Sequence, residues 1–298
     1  MAVLPFNGAA IARVPATNTT ALLLIDNQLG FRNVDAWGTG TSNPDFEKNI
    51  TALLKKFRSV AEARPEGERP LIIHVQHKSV WTDSPMHPTH VGPYGTDGEE
   101  KRGIDFLPFA APRLLRDGKY QLVYTFDEPP PPAAGPDSQK AAPARLPRDE
   151  IIMTKHGHSV FINTPLEMLL NKRGIKTLLV AGMSTDLSVS TAVRMAHNLA
   201  LVGRWGGTGN MVDVAESALW TDGAGVYANP EAGPLALEDG QGGDGYSVNM
   251  PRIILIGDAT RTFGKAGAEA QTVHDVHVES LKEFAEVRAT AEVVDAFR

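Results

Sequence analysis

Three residues of the 298-residue sequence have types and surroundings suited to moving an acyl group: Asp26, Lys155 and Ser188. Asp26 ends the apolar run ALLLI, Lys155 ends EIIMT, and Ser188 lies in the polar turn after TLLVAG. A carboxylate at the buried end of a strand loses part of its water, and a nearby lysine would hold it in its charged form. A serine at the opening of a helix gains from the positive end of the helix dipole. The backbone N–H groups there can also stabilise an oxyanion. Base, cation and nucleophile on adjacent strand ends would form an acyl-transfer site.

The elements that must carry these residues are legible as alternating apolar runs and amphipathic stretches. Strands are expected at 21–28, 70–77, 150–155, 176–182 and 252–260, with EVRA near 286–289 as a candidate sixth. Phe46, Ile50, Leu53, Leu54 and Phe57 recur at spacings of three and four, which marks an amphipathic helix over 43–64. Further helices are expected after Asn163, which can cap, with Pro165 in the first turn and Gly174 as the stop, and over 186–199, 268–285 and 290–297. Strand–helix alternation implies parallel strands joined by right-handed crossovers. The expected fold is an α/β/α three-layer sandwich with a mostly parallel central sheet of about six strands. In such a sheet the ligand crevice lies at the carboxyl ends of the strands, where Asp26, Lys155, the turn 183–188 and Asp258 all fall.

Two stretches break the rhythm, 78–149 and 201–250. Both are too long for plain connections, so they read as insertions in a single domain spanning 1–298, parts of which could cover the crevice. The proline-rich tract 127–147 reads as a surface strap. GRWGGTG at 203–209 does not join a strand to a helix, so a phosphate-loop role is disfavoured.

Composition narrows the partners. Net charge is −6, with no stretch dense in Lys or Arg, which argues against nucleic acid and anionic membrane. There are no cysteines, which excludes disulfides and thiolate metal sites and fits a reducing compartment. Neither a secretory leader nor a run of about 20 apolar residues is visible, so a cytoplasmic location is expected.

Structural roles compete for the other polar residues. Asp186 is expected to cap the helix 186–199, Asp258 to hold the next loop, and Thr185 and Ser190 to bond locally. His74 and His77 should point to opposite faces of one strand. His87 and His90 lie in an irregular loop, and His274 and His277 on a helix. No metal and no cofactor are expected. Phe31, Trp37 and Trp81 follow strand ends and could line a pocket or simply pack.

Three segments together resemble the isochorismatase-like cysteine hydrolase superfamily of nicotinamidases, N-carbamoylsarcosine amidases and isochorismatases. LLLIDNQLGF resembles its first-strand motif with the aspartate and the glutamine two residues on. TKHGHSVFINTPLEMLLNKRGIKTLLVAG resembles the lysine-bearing stretch, and GMSTDLSV resembles the nucleophile turn. The resemblance covers about 20–200 and 252–298. It implies Asp26 as general base and later acid, Lys155 as charge stabiliser, and a cis peptide between Met183 and Ser184. It also implies an oxyanion hole from the N–H groups of Ser184 and Ser188, a small-molecule substrate, and a homodimer or larger homo-oligomer.

The chain departs from the superfamily pattern at Ser188, where the amidases have cysteine. A thiol with a pKa near 8.5 is readily deprotonated by a carboxylate, whereas an alcohol normally needs a histidine base. Three explanations fit: a slow native nucleophile, a cysteine replaced by serine, or chemistry that needs no nucleophile. The function expected is hydrolysis of a C–N bond in a small amide or ureido compound. The alternatives are vinyl-ether hydrolysis with Asp26 as acid, and a catalytically silent binder.

Overall fold

The computed structural model describes residues 17–113, 149–206 and 251–298, together with the short strands at 122–123, 220–221 and 226–227. A seven-stranded sheet runs through the molecule. Its members are β1 (Thr20–Ile25), β2 (Leu71–His77), β3 (Leu122–Val123), β4 (Glu150–Lys155), β5 (Thr177–Met183), β6 (Arg252–Arg261) and β7 (Glu286–Arg288). Their spatial order is β7–β6–β5–β1–β2–β4–β3, and every pairing is parallel. The expected parallel α/β sheet is present, with the edge strand β3 as one strand more than the apolar runs reveal. The proline-rich tract 127–147 lies outside the described residues.

Strand alternation divides the core between two layers. Ala21, Leu23 and Ile25 of β1 face one cluster, and Leu22 and Leu24 face the other. The first cluster packs beneath α3 (Leu166–Lys172), α4 (Ser190–Leu201) and α5 (Ala270–Leu281). The second packs beneath α2 (Phe46–Glu62), which follows the single turn α1 (Val34–Trp37), and α6 (Thr290–Ala296). The stripe expected on α2 is buried as a unit, and Phe57 stacks on Phe297 with ring centroids 4.1 Å apart.

Two local expectations are corrected. Asn163 does not cap α3: it sits in the left-handed region at φ 52°, and Pro165 is the N-cap. The Thr164 hydroxyl accepts the Leu166 N–H instead, at 3.3 Å, which suits a short polar side chain just ahead of a helix. Asp186 does not cap α4. Its carboxylate accepts from Thr262 Oγ1 and Lys265 Nζ, so an ion pair across the turn wins over a cap. Asp258 does hold a following element, accepting from the Thr290 N–H and hydroxyl at the start of α6. Trp205 of the GRWGGTG stretch is buried, and its indole donates to the Ile175 carbonyl at 2.9 Å, so this tryptophan packs in the core.

Candidate active site

The chain order of the strands creates the crevice. From central β1 the chain moves to β2 and onward to β3 and β4, then crosses back to β5 on the other side of β1. Strand ends diverge at such a switch point and leave room for a ligand. Asp26 follows β1 directly, Lys155 ends β4, and Ser188 lies in the turn after β5.

These three side chains meet. Lys155 Nζ lies 2.8 Å from Asp26 Oδ2 and 3.0 Å from Ser188 Oγ. It also donates to the carbonyls of Gly157 and His158, each at 3.0 Å. Lys155 is wholly buried, and Asp26 and Ser188 are nearly so. A buried ammonium is tolerated only with such a set of acceptors. The strand ends are not all adjacent, as the sequence reading has them: β2 stands between β1 and β4. The long lysine side chain bridges that gap, reaching Asp26 past the end of β2.

Local backbone shapes the meeting. Asp26 adopts the left-handed conformation at φ 50°, turning its side chain out of the strand alternation. Its amide still donates to the Val75 carbonyl at 3.1 Å. Gly182 has φ 121°, and a Cβ there would lie 2.1 Å from the Ile25 carbonyl oxygen. Only glycine lets β5 approach the end of β1 so closely. The Met183–Ser184 peptide that follows is cis. Thr185–Val189 then winds as a π-helical turn before α4, with the Ser184 carbonyl accepting from both Leu187 and Val189 at 3.1 Å.

Two further elements brace this turn. On one side, Asp186 binds Thr262 and Lys265 after β6. Burial opposes its charge, yet hydrogen bonds from Lys265, Thr262 and Ser184 outweigh that and hold the carboxyl below its usual range. On the other side, the Thr185 hydroxyl does not bond locally as expected but meets His274 Nδ1 of α5 at 3.0 Å, 89 residues away. Burial holds this imidazole below its ordinary value.

Gln28 joins the Asp26 loop to β2. Its Oε1 accepts the His77 N–H at 2.8 Å, and its Nε2 donates to the His77 carbonyl at 2.9 Å and the Ile104 carbonyl at 3.0 Å. The early part of the first insertion is thereby tied to the loop that follows Asp26. The Leu29 and Gly30 amides bond to Asp105 and Gly103, and the Leu107 amide to the Asn27 carbonyl.

The aromatic candidates separate. Phe31 and Trp37 stack on Phe263, with centroids 5.7 Å away in both cases. Trp37 also donates its indole N–H to the Gly30 carbonyl. Trp81 is 73% exposed and stands on the surface. His77, which the sequence marks only as one of a strand pair, sits at the end of β2 between the Asp26 and Lys155 strands. Its position after IIHV and before SVW gives no sign of this, because the sheet order is not written in the sequence. His87 and His90 are engaged by Thr89 and Tyr94 hydroxyls, each at 2.8 Å. Among the described residues, no group of three or more His, Asp or Glu could hold a metal ion. None of the described helices is long and apolar enough to cross a membrane.

A parallel α/β sandwich with a buried carboxylate, ammonium and hydroxyl at its switch point defines an α/β protein of the open, doubly wound class, with polar groups gathered at the strand ends. More narrowly, the chain belongs to the isochorismatase family, as an isochorismatase-family hydrolase: the family model for the isochorismatase domain matches residues 20–201. It is 23% identical over 235 residues to the ureidoacrylate amidohydrolase RutB of a Methylorubrum extorquens strain, covering 75% of this chain and 74% of that one. It is 27% identical over 179 residues to the isochorismatase family protein YrdC of Bacillus subtilis, covering 60% and 66%. Among solved structures, an isochorismatase-family protein of Chromobacterium violaceum superposes with a TM-score of 0.58 at 23% identity, covering 97% of both chains. A cysteine hydrolase of Pseudomonas syringae pv. phaseolicola gives 0.53 at 16% identity, covering 94% and 93%. These structural likenesses show the fold.

Proposed function

We propose that the protein hydrolyses a C–N bond of a small amide or ureido compound, with Ser188 as nucleophile, Asp26 as proton acceptor and donor, and Lys155 as fixed positive charge. The observation that supports this most is one buried ammonium contacting both the carboxylate and the hydroxyl. A cation donating to Oγ favours the alkoxide, which is what an unassisted serine lacks. Asp26 Oδ1 is buried with no hydrogen-bond partner among the described residues, so this oxygen is free to take the Ser188 proton. The named activity of the ureidoacrylate amidohydrolase relative agrees with C–N cleavage.

In this reading the Oγ–H proton passes to Asp26 as the Oγ–C bond forms. The oxyanion is held by the N–H groups of Ser184 and Ser188. The C–N bond then breaks, and Asp26 returns the proton to the departing nitrogen. Water, giving a proton to Asp26, cleaves the acyl-serine and frees the acid. Asp26 hands that proton back to Ser188 Oγ, and Lys155 stays charged throughout.

The test is product release from a panel of primary amides and N-carbamoyl compounds, read as ammonia or amine, with isochorismate-type vinyl ethers alongside. Asp26→Asn and Ser188→Ala should each lower amide turnover by about 10²-fold or more, and Ser188→Cys should retain or raise it. Loss of vinyl-ether cleavage in Asp26→Asn but not in Ser188→Ala would replace the acyl route with protonation chemistry. An intact pocket with no turnover of any compound by the parent or Ser188→Cys would mark a binder.

A further inference from the structure

The turn that carries Ser188 is held from behind by a chain of side chains that the mechanism above does not use. Thr185, wholly buried, opens the turn, and its Oγ1 lies 3.0 Å from His274 Nδ1 on α5. On the far side of that ring, His274 Nε2 lies 3.3 Å from Asn43 Nδ2. Asn43 precedes α2 and sits in the left-handed region at φ 48°, which asparagine tolerates better than most residues. Its side-chain nitrogen donates to the carbonyls of Gly257 and Thr260, where β6 slips out of register with β5. Such a bulge interrupts the ladder, and the amide supplies the donor.

These contacts fix where the ring proton sits. Two carbonyl acceptors identify the Asn43 atom as the amide nitrogen, which gives hydrogens and has no lone pair with which to accept one. A proton on His274 Nε2 would therefore point at a donor. Nε2 is bare, the proton is on Nδ1, and Nδ1–H donates to Thr185 Oγ1. Asn43 is fastened to α5 a second time, its backbone N–H donating to Gln271 Oε1 at 3.2 Å. Thr185 is tied by its main chain too, its carbonyl accepting the Ser190 N–H. It is a fixed point three residues ahead of Ser188.

We propose that His274 is a positioning residue for the nucleophile. Its Nδ1–H, aimed by the Asn43 amide, holds Thr185 and thereby the direction in which the turn presents Ser188 Oγ to Asp26 and Lys155. This role rests on Ser188 as the attacking group. The histidine acts through the turn and not on the reacting atoms. A misplacement of about 1 Å at a reacting atom can cost about 10²-fold in rate, which is the scale on which such a brace matters.

The experiment sets His274→Phe, which fills the space of the ring without a donor, against His274→Asn, which is smaller but can donate from about the place of Nδ1. The probe is whichever primary carboxamide or N-carbamoyl compound the parent turns over fastest. In His274→Phe, kcat should fall about tenfold or more with KM within about twofold, and His274→Asn should return kcat to within about threefold of the parent. Thr185→Val should match His274→Phe, and the double variant should be no worse than either. Packing alone predicts the opposite order, with Phe above Asn; that order, or additive losses, overturns the assignment. Two readouts need no turnover. In the full parent chain with nitrogen-labelled histidine, the His274 ring should carry its proton on Nδ1 with Nε2 bare, and the reverse tautomer overturns the brace even where a variant fails to fold. Hydrogen exchange of the Leu187 and Val189 amides, which bond the Ser184 carbonyl, should speed at least about tenfold in His274→Phe and not in His274→Asn. Equal exchange in all three chains also overturns it. A parent inert on every probe sinks the C–N hydrolysis alone, and the brace is then judged on these two readouts.

Discussion

Replacing Lys155 with methionine keeps a long side chain in the buried channel and removes its charge. The wild-type ammonium has four oxygen contacts: Asp26 Oδ2 at 2.8 Å, and Ser188 Oγ and the Gly157 and His158 carbonyls at 3.0 Å. Each hydrogen bond from a charged donor contributes about 1.5–3 kcal/mol. Removing one partner of a buried pair costs about 3–5 kcal/mol, because the other charge is left without compensation. The two figures overlap through Asp26, so the predicted loss is about 4–6 kcal/mol, a large part of the roughly 5–15 kcal/mol of a typical domain. Asp26→Asn should cost far less, about 1–2 kcal/mol, because Lys155 keeps three acceptors and the amide oxygen can still accept. The double variant removes both charges and should be more stable than the sum of the two losses predicts, by about 2 kcal/mol or more. Urea unfolding followed by circular dichroism, extrapolated linearly to water, measures all four corners of the cycle. A Lys155→Met loss below about 1 kcal/mol, or strict additivity, would refute the reasoning that one buried ion pair organises the site.

The other expectations rest on separate parts of the structure. Glu150 on β4 accepts from Arg58, Arg113 and His74. Burial alone would raise its carboxyl, but these partners outweigh it and hold it well below the carboxylate range. A depressed folded value means the stabilisation is present above the unfolded value near 4.5 and fades as pH falls through the folded one. Glu150→Gln should therefore lose about 3 kcal/mol or more at pH 7, and its deficit relative to the parent should shrink steadily from about pH 5 downward in urea titrations. A deficit independent of pH would count against this. Gln28→Leu should destabilise by about 2–4 kcal/mol, the worth of the three hydrogen bonds its buried amide makes; unchanged melting would reject the clamp. Val276 of α5 and Met168 of α3 are more than half exposed, and with them a homo-oligomer is expected. Light scattering at micromolar concentration should give a particle well above 32.1 kDa, and a monomer would reject it.

Much of this arrangement is legible in the residues, for a physical reason. Strands buried on both faces must be apolar throughout, so β1, β2, β4, β5 and β6 announce themselves as short runs such as TALLLI and LIIHV. The helix α2 announces itself through its stripe of Phe46, Ile50, Leu53, Leu54 and Phe57. Because parallel sheets gather polar residues at their carboxyl ends, the sequence by itself brings Asp26, Lys155 and Ser188 near one another. The expected caps at Asn163 and Asp186 do not form, because a cap competes with tertiary partners that local sequence does not contain. For Asp186 the winning partner, Lys265, is 79 residues away.

Sheet order is what the sequence withholds. Runs of similar apolar character give no sign of which strand lies between which, since the order is set by how crossover helices share the two faces. Placing β1 beside β4 would leave Lys155 a direct neighbour of Asp26 and His77 a strand residue with no part in the site. With β2 between them, the lysine must extend past the end of β2, and the last residue of β2 comes to the mouth of the ion pair. The Gln28 amide fastens that residue in place and ties the early insertion to the same loop through Ile104. A single change of strand order thus sets His77 in register beside Lys155, where the apolar runs alone give no sign of it.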